Sequence, residues 1–168
     1  MTIADLFVDA FGRVHNAVHE VLEGLTEEDL SFRVDTDANS IAWLVWHLSR
    51  VQDDHVAHVA QVDQVWTSSG WAGRFRLPLD VTDTGYGHGS DQVAAVKSDA
   101  KTLGDYQDSV HEMTLRFVRA LTGADLDQIV DRRWDPPVTL GVRLVSVITD
   151  GLQHAGQAAY VRGILERR

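Results

Sequence analysis

Three residues have types and spacings that suit a divalent metal ion. Asp150 and His154 are four residues apart in a segment with helical periodicity, so both side chains leave one face of a helix about one turn apart. His47 lies in the apolar run 41–48, where bulky neighbours exclude water. Two imidazoles and one carboxylate leave coordination positions open, as catalytic metal sites do. The pattern predicts a metal site formed by these three residues. The alternative is that His47 is a hydrogen-bonded packing residue and that the spacing of Asp150 and His154 arose by chance.

Three further polar residues are candidates for the wall of the same pocket. Asp54 lies two turns beyond His47, about 11 Å along the helix, which is too far to share an ion with it. We expect Asp54 or His58 to line the pocket or to relay a proton, with packing and local hydrogen bonding as the alternative. Gln157 lies one turn beyond His154, where it could hydrogen-bond a ligand or support helix packing instead.

Other polar and aromatic positions are interpreted as structural. His15 and His19 also stand four apart, but they flank an apolar stripe and have acidic neighbours, so we interpret them as a solvated surface pair. The glycine-rich run 85–89 lacks the lysine of a phosphate-binding loop and is interpreted as a flexible turn at the rim of the pocket. Three tryptophans either close the entrance of the pocket or pack inside the protein: Trp66, Trp71 and Trp134.

Four segments show the apolar spacing of three and four residues that is typical of amphipathic helices. The first runs from about Thr2 to Gly24, and the second from Ile41 to about Trp66. The third begins at Ser90 or Asp91 and ends before Gly123, and the fourth begins near Gly141. Ser and Asp at these starts are good N-caps, and glycine is a common residue after a helix end.

The segments between the helices complete the predicted architecture. Residues 67–89 contain several glycines and Pro78 and show no clean period, which predicts a long crossover between the second and third helices. Residues 129–140 are predicted to hold one or two short extended pieces. Four amphipathic helices without a matching set of strands predict an all-α four-helix bundle, in a single domain spanning residues 1–168.

Composition and charge exclude several classes of function. The 15 Lys and Arg against 25 Asp and Glu leave a formal net charge of −10 and no basic stripe, so we expect no nucleic-acid partner. The absence of cysteine excludes a thiolate metal site and a cysteine nucleophile, and it fits a reducing cytoplasm. No apolar run approaches the roughly 18 residues of a membrane span, and the first residues are acidic, so we expect a cytoplasmic protein with no membrane partner.

Two motifs together resemble a known superfamily. The runs 40–48 (SIAWLVWHL) and 154–157 (HAGQ) resemble the DinB-like (DinB/YfiT-like) metal-binding four-helix bundles. The carboxylate four residues before the last-helix histidine is similar to the metal-binding domain of mycothiol-dependent maleylpyruvate isomerase and related thiol transferases, in which zinc is held by a helix-two histidine and a Glu-x-x-x-His pair. The resemblance implies His47, Asp150 and His154 as the ligands. Asp150 stands where that branch has glutamate, and the isomerase carries an additional C-terminal domain, so maleylpyruvate isomerisation itself is not expected.

The resemblance also implies an activity. The implied activity is that of a metal-dependent thiol S-transferase, which activates a low-molecular-weight thiol such as mycothiol or bacillithiol for attack on an electrophile. Zinc is the first expected metal and nickel the second. A homodimer is implied as well. Two alternatives stay open at this point: a metal-dependent hydrolase that uses water in place of the thiol, and a non-catalytic metal- or ligand-binding stress-response bundle.

Overall fold

Four long helices, joined by shorter helices and one small hairpin, make up the chain. The computed structural model describes residues 1–168. In chain order the elements are α1 (Ile3–Leu22), α2 (Glu27–Ser31), α3 (Ile41–Ala60), α4 (Val65–Ser68), α5 (Trp71–Phe75), α6 (Ser90–Ala95), α7 (Ala100–Val118), a short 3-10 helix (Gly123–Asp127), strands β1 (Ile129–Asp131) and β2 (Val138–Thr139), and α8 (Leu140–Leu165). None of the helices is both long enough and apolar enough to cross a membrane.

The four long helices close a bundle. Helix α1 packs against α7 and α8, and α3 packs against the same two helices from the other side. The α3–α8 and α1–α7 pairs therefore form opposite sides of the bundle. Every residue from 41 to 50 in α3 is buried, as expected of a helix that is apolar on nearly all faces. The predicted all-α four-helix bundle is confirmed, with its long connection between α3 and α7.

Local capping sets where the site-bearing helices begin. The Ser40 hydroxyl accepts a hydrogen bond from the backbone N–H of Trp43 at 3.1 Å and starts α3. Thr139 does the same for Val142 at the start of α8. Because each helix then advances by about 100° per residue, these caps fix the direction in which the later side chains of α3 and α8 point.

The predicted second helix is too long. Helix α3 ends at Ala60, because Gln61 adopts a left-handed conformation (φ 57°, ψ 43°) and the chain turns back. The carboxylate of Asp53 then accepts the backbone N–H groups of Val65 and Trp66 at 3.0 and 2.8 Å. A buried acceptor about two turns before the helix end therefore redirects a segment whose apolar spacing alone would continue the helix.

The predicted third helix is interrupted. Residues 90–95 form α6, Val96 is extended (φ −80°, ψ 100°), and the long helix α7 begins only at Ala100. Asp99 explains the break, because its carboxylate accepts both the backbone N–H and the hydroxyl of Thr102 at 2.7 Å, which is the geometry of a helix start. The short extended pieces predicted within residues 129–140 are confirmed as the antiparallel pair β1 and β2.

Candidate metal centre

His47, Asp150 and His154 meet between α3 and α8. One potential ligand atom from each lies within 4.8 Å of the other two. The rings of His47 and His154 are 4.6 Å apart and nearly perpendicular, at 78°. His47 is buried, and the side chains of Asp150 and His154 are 30% and 17% exposed. The structure thus brings together the three residues singled out in the sequence, in a position that stays connected to solvent.

Backbone carbonyls set which nitrogen of each histidine is free. The Nδ1–H of His47 donates to the carbonyl of Thr84 at 2.5 Å, and the Nδ1–H of His154 donates to the carbonyl of Asp150 at 2.9 Å. With Nδ1 protonated, the lone pair of a neutral imidazole is on Nε2. Metal-ligating histidines are held in this way in most proteins, by a hydrogen bond from the nitrogen that does not bind the metal.

The carboxylate of Asp150 is short of partners. Its buried Oδ2 atom accepts no hydrogen bond. This atom lies 3.3 Å from Nδ1 of His154, but the proton of that nitrogen is directed at the Asp150 carbonyl. A carboxylate oxygen without a donor is costly in a buried position, and a cation would remove that cost. The donor set and this unpartnered oxygen fit a divalent ion.

The crossover between α3 and α7 packs directly on His47. Gly85 has φ +91°, and a Cβ atom added there would lie 2.7 Å from Nδ1 of His47 and 3.2 Å from the ring of Trp43. One face of the His47 ring stacks on the ring of Trp43, with the ring centroids 4.6 Å apart and the planes inclined by 12°. The glycine-rich run therefore has a defined role, since only a residue without a side chain lets the Thr84 carbonyl approach the imidazole this closely.

A buried network anchors the crossover to α3. The guanidinium of Arg50 is fully buried, donates from Nε to the carbonyl of Asp83 at 3.1 Å, and lies 3.6 Å from the carboxylate of Asp53. The Tyr106 hydroxyl of α7 donates to Asp53 at 2.9 Å. Asp83 directly precedes Thr84, so this network places the carbonyl that orients His47.

The two imidazoles have opposite pKa shifts. Burial lowers the pKa of His47, which outweighs the Thr84 carbonyl that favours its charged form. For His154, burial also lowers the pKa, but the side chain and carbonyl of Asp150 outweigh burial and raise it. His47 is therefore neutral at neutral pH, the state in which a histidine binds a metal ion.

A cavity of about 490 Å³ opens beside His47 and Asp150. Its wall includes His55, Arg143 and Asp131. Burial and the nearby Arg143 lower the pKa of His55. The exposed aromatic side chains of Tyr86 and Trp134 also line the cavity and lie at its mouth. The site therefore adjoins a space large enough for a small organic molecule, with charged groups of both signs.

The other predicted pocket residues divide into two groups. Asp54 lines the cavity and accepts a hydrogen bond from the Gln64 side chain at 2.8 Å. His58 is exposed and borders a separate groove that it shares with Asp54. Gln157 is exposed and borders another groove, together with Gln153. His58 and Gln157 are therefore outside the cavity. His58 lies about 16 Å along α3 from His47, and Gln157, three residues after His154, points about 60° away around α8.

Several residues of the site were not singled out in the sequence. His55, Asp131 and Arg143 carry no motif, and only the packing of the β1–β2 hairpin and α8 beside α3 brings them to one cavity. Trp66 and Trp71 are buried in the core, whereas Trp134 lies at the cavity mouth.

The interpretation of His15 and His19 as a solvated surface pair left out a partner, although their side chains are 25% and 43% exposed. Both rings contact Asp108 of α7 at 2.7 Å. Asp108 is distant in sequence from both histidines, and no pattern in the chain pointed to it.

The fold, with a His, Asp and His cluster joining α3 to α8, defines the DinB-like class of helical bundles. The family model for mycothiol-S-transferases matches residues 7–167, and the chain belongs to this family. Membership assigns it, at family level, to the thiol transferases. A crystal structure of a conserved protein from Enterococcus faecalis is similar, with 29% sequence identity and a TM-score of 0.92 over 100% of this chain and 99% of that one. No curated protein matches the sequence significantly.

Proposed function

We propose that this chain is a metal-dependent thiol S-transferase in which His47, Asp150 and His154 hold a divalent cation, zinc foremost and nickel next. The cosubstrate is a low-molecular-weight thiol of the mycothiol or bacillithiol kind, and the second substrate is a carbon electrophile. The family supports the thiol transferase activity. We propose, beyond the family-level activity, that the enzyme uses a divalent metal ion and that its thiol is of the mycothiol or bacillithiol kind.

One observation carries the proposal. Two imidazoles with Nδ1 engaged by backbone carbonyls and one carboxylate with an unpartnered Oδ2 converge beside an open cavity. A purely structural histidine cluster would satisfy its polar atoms internally. Three protein ligands beside a cavity also leave room for a small molecule, which a closed structural site would not.

The chemistry requires a sulfur that the chain does not contain. The sequence has no cysteine, so the nucleophile is the cosubstrate thiol. When bound, a divalent cation would lower the pKa of that thiol from about 8.5, so that the thiolate predominates at neutral pH. The sulfur then forms a bond to the electrophilic carbon, the thiol proton passes to a base, and any displaced group leaves with its bonding electrons.

Residues of the cavity supply the remaining functions. Because its pKa is lowered, His55 is neutral at neutral pH and is the proposed acceptor of the thiol proton. Trp43 covers one face of His47 and excludes water from it. Arg143, held by Asp131 at 3.0 Å, presents positive charge to the cavity and favours an anionic group on either substrate.

Metal content and thiol consumption test the proposal. Protein purified without chelators is analysed by mass spectrometry for bound metal, and His154→Ala is expected to hold one equivalent less than wild type. His58→Ala is the matched control, because that histidine lies on α3 but outside the cavity. Wild-type protein without divalent metal, or a His154→Ala variant that binds as much as wild type, contradicts the proposal.

The two alternatives give different results in the same assay. A model alkylating agent is incubated with the enzyme with and without mycothiol or bacillithiol, and loss of free thiol is followed against product. A transferase consumes one thiol per product, whereas a hydrolase turns over the electrophile without it. A non-catalytic bundle gives no turnover in either mixture.

Three expectations from the sequence remain predictions: a single domain, a homodimer and a cytoplasmic location. The first is checked by a single cooperative unfolding transition. Light scattering of the purified chain checks the second, with twice the mass of the 168-residue chain as the expected result. Fractionation of the source cells checks the third.

A further inference from the structure

A second histidine cluster lies on the opposite side of the bundle, between α1 and α7. His15 and His19 leave α1 four residues apart, and each Nε2 lies 2.7 Å from the same oxygen, Oδ1 of Asp108 on α7. One potential ligand atom from each residue lies within 4.8 Å of the other two. This cluster shares no residue with the candidate centre between α3 and α8.

The surrounding residues hold the two rings in place. A Cβ atom at Gly104 would lie 3.3 Å from Cε1 of His19, so the glycine allows this ring to lie against α7. The ring of His111 stacks on that of His15 at 4.4 Å and 24°. The buried Nδ1 of His111 has no hydrogen-bond partner. The rings of His15 and His19 are therefore positioned by packing as well as by Asp108.

The electrostatic surroundings favour a cation. A single carboxylate oxygen faces two imidazole nitrogens, a donor set of two nitrogens and one oxygen that suits zinc-like divalent ions. The groove beside His19 also carries Glu20, Glu23 and Asp105, against one lysine, Lys101, which is paired with Asp105. The whole chain has a net charge of −10.

We propose that His15, His19 and Asp108 form a second divalent metal site, of the zinc class, that joins α1 to α7. Ligand atoms at zinc bond lengths of about 2.0–2.2 Å are about 3.3 Å apart in a tetrahedron, so Asp108 has to withdraw by less than about 1 Å. Its side chain is 46% exposed, which leaves it free to rotate. Water completes the coordination on the exposed side.

The site differs in role from the one at the cavity. It lies between two helices beside an open groove, whose one cation, Lys101, is paired with Asp105, whereas the α3–α8 cavity is lined by two arginines. An ion bound there contacts one side chain from α7 and two from α1, and it binds the folded chain only. Zinc is therefore expected to raise thermal stability through this site.

Zinc and cobalt titrations of the full chain test the site. Chelator-treated protein is titrated with Zn²⁺ by calorimetry and with Co²⁺ by visible absorption. The variants are His19→Ala and Asp108→Asn, each made in the wild-type and His154→Ala backgrounds so that the two sites are counted separately. Glu20→Gln is the matched control, because it removes a charge next to His19 without touching the cluster. Circular dichroism of the metal-free variants verifies folding.

We expect His19→Ala and Asp108→Asn each to lose one equivalent of zinc relative to wild type, while Glu20→Gln loses none. In the His154→Ala background, zinc is expected to raise the melting temperature by several degrees, and His19→Ala abolishes that rise. If His154→Ala alone removes all zinc binding, or if His19→Ala binds as much zinc as wild type, the second site is overturned. A loss in His19→Ala but not in His154→Ala overturns the first site instead and leaves this one standing.

Discussion

Nδ1 of His47 lies 2.5 Å from the carbonyl oxygen of Thr84, so a residue of the crossover orients an imidazole on α3. The contact joins residues 37 positions apart in the chain. With Nδ1 engaged in this way, the lone pair of the neutral imidazole is on Nε2. Metal-ligand histidines depend on such partners, whose loss typically costs 10–100-fold in metal affinity. The geometry of the candidate centre therefore depends on the crossover as much as on the two helices.

Gly85→Ala is predicted to disturb this contact. The added methyl group would lie 2.7 Å from Nδ1 of His47 at a φ of +91°, so either the ring or the loop has to move. We expect a loss of about 1–3 kcal/mol in stability and about 10–100-fold in zinc affinity at this centre, measured by urea unfolding and by competitive zinc titration. Gly87→Ala is the matched control, because its φ is also positive (+77°) but nothing lies within 4 Å. Equal zinc affinities in the two variants would contradict the contact's role.

Arg50→Leu is predicted to destabilise the protein by about 3–5 kcal/mol, because it leaves the buried carboxylate of Asp53 without its cation. Denaturant unfolding measures the change. The comparison is Arg13→Ala, which breaks a pair with Asp9 whose side chains are 71% and 57% exposed and should therefore cost far less stability. Similar losses for the two variants would show that the Arg50 network does not anchor the crossover.

The β1–β2 hairpin is predicted to lose stability in acid. Arg133 foremost, with Arg143, holds the pKa of Asp131 well below its usual range. In the unfolded chain this carboxyl titrates near pH 4, so its stabilising effect is complete above that pH and is lost as the pH falls toward the folded-state pKa. We expect the urea concentration at the unfolding midpoint to decrease as the pH is lowered below 4. In Asp131→Asn this decrease should be less steep. Asp63→Asn, an exposed carboxylate without an ion pair, should leave the slope as in wild type.

Gly151→Ala is predicted to separate α1 from α8. A Cβ atom there would lie 3.0 Å from Cγ1 of Val14, so the helices must shift beside Asp150. We expect destabilisation of about 1–3 kcal/mol by thermal or urea unfolding. In contrast, Gly156→Ala on the same helix meets nothing within 4 Å and should stabilise by up to about 1 kcal/mol. Stabilisation by both substitutions would argue against close packing at Gly151.

Sequence periodicity predicted the elements well where local rules decide them. The apolar spacing, with Ser40 as a cap for α3, placed the starts of α3 and α8 within a residue, and the Thr139 cap of α8 was found only in the structure. The errors arose where distant groups compete for the backbone. Helix α3 ends early because the Asp53 carboxylate accepts the backbone N–H groups of Val65 and Trp66. A local sequence pattern does not indicate an acceptor that lies twelve or thirteen residues away.

The sequence by itself determined that Asp150 and His154 share a helix face, because helical geometry fixes the direction of side chains four residues apart. It also supplied the resemblance that pointed to His47. Only the tertiary structure decided that Thr84 would orient His47 and that Asp108 would meet His15 across 93 positions of chain. The physical reason is that spacing within a helix follows from the backbone, whereas the meeting of separate segments follows from how their faces pack.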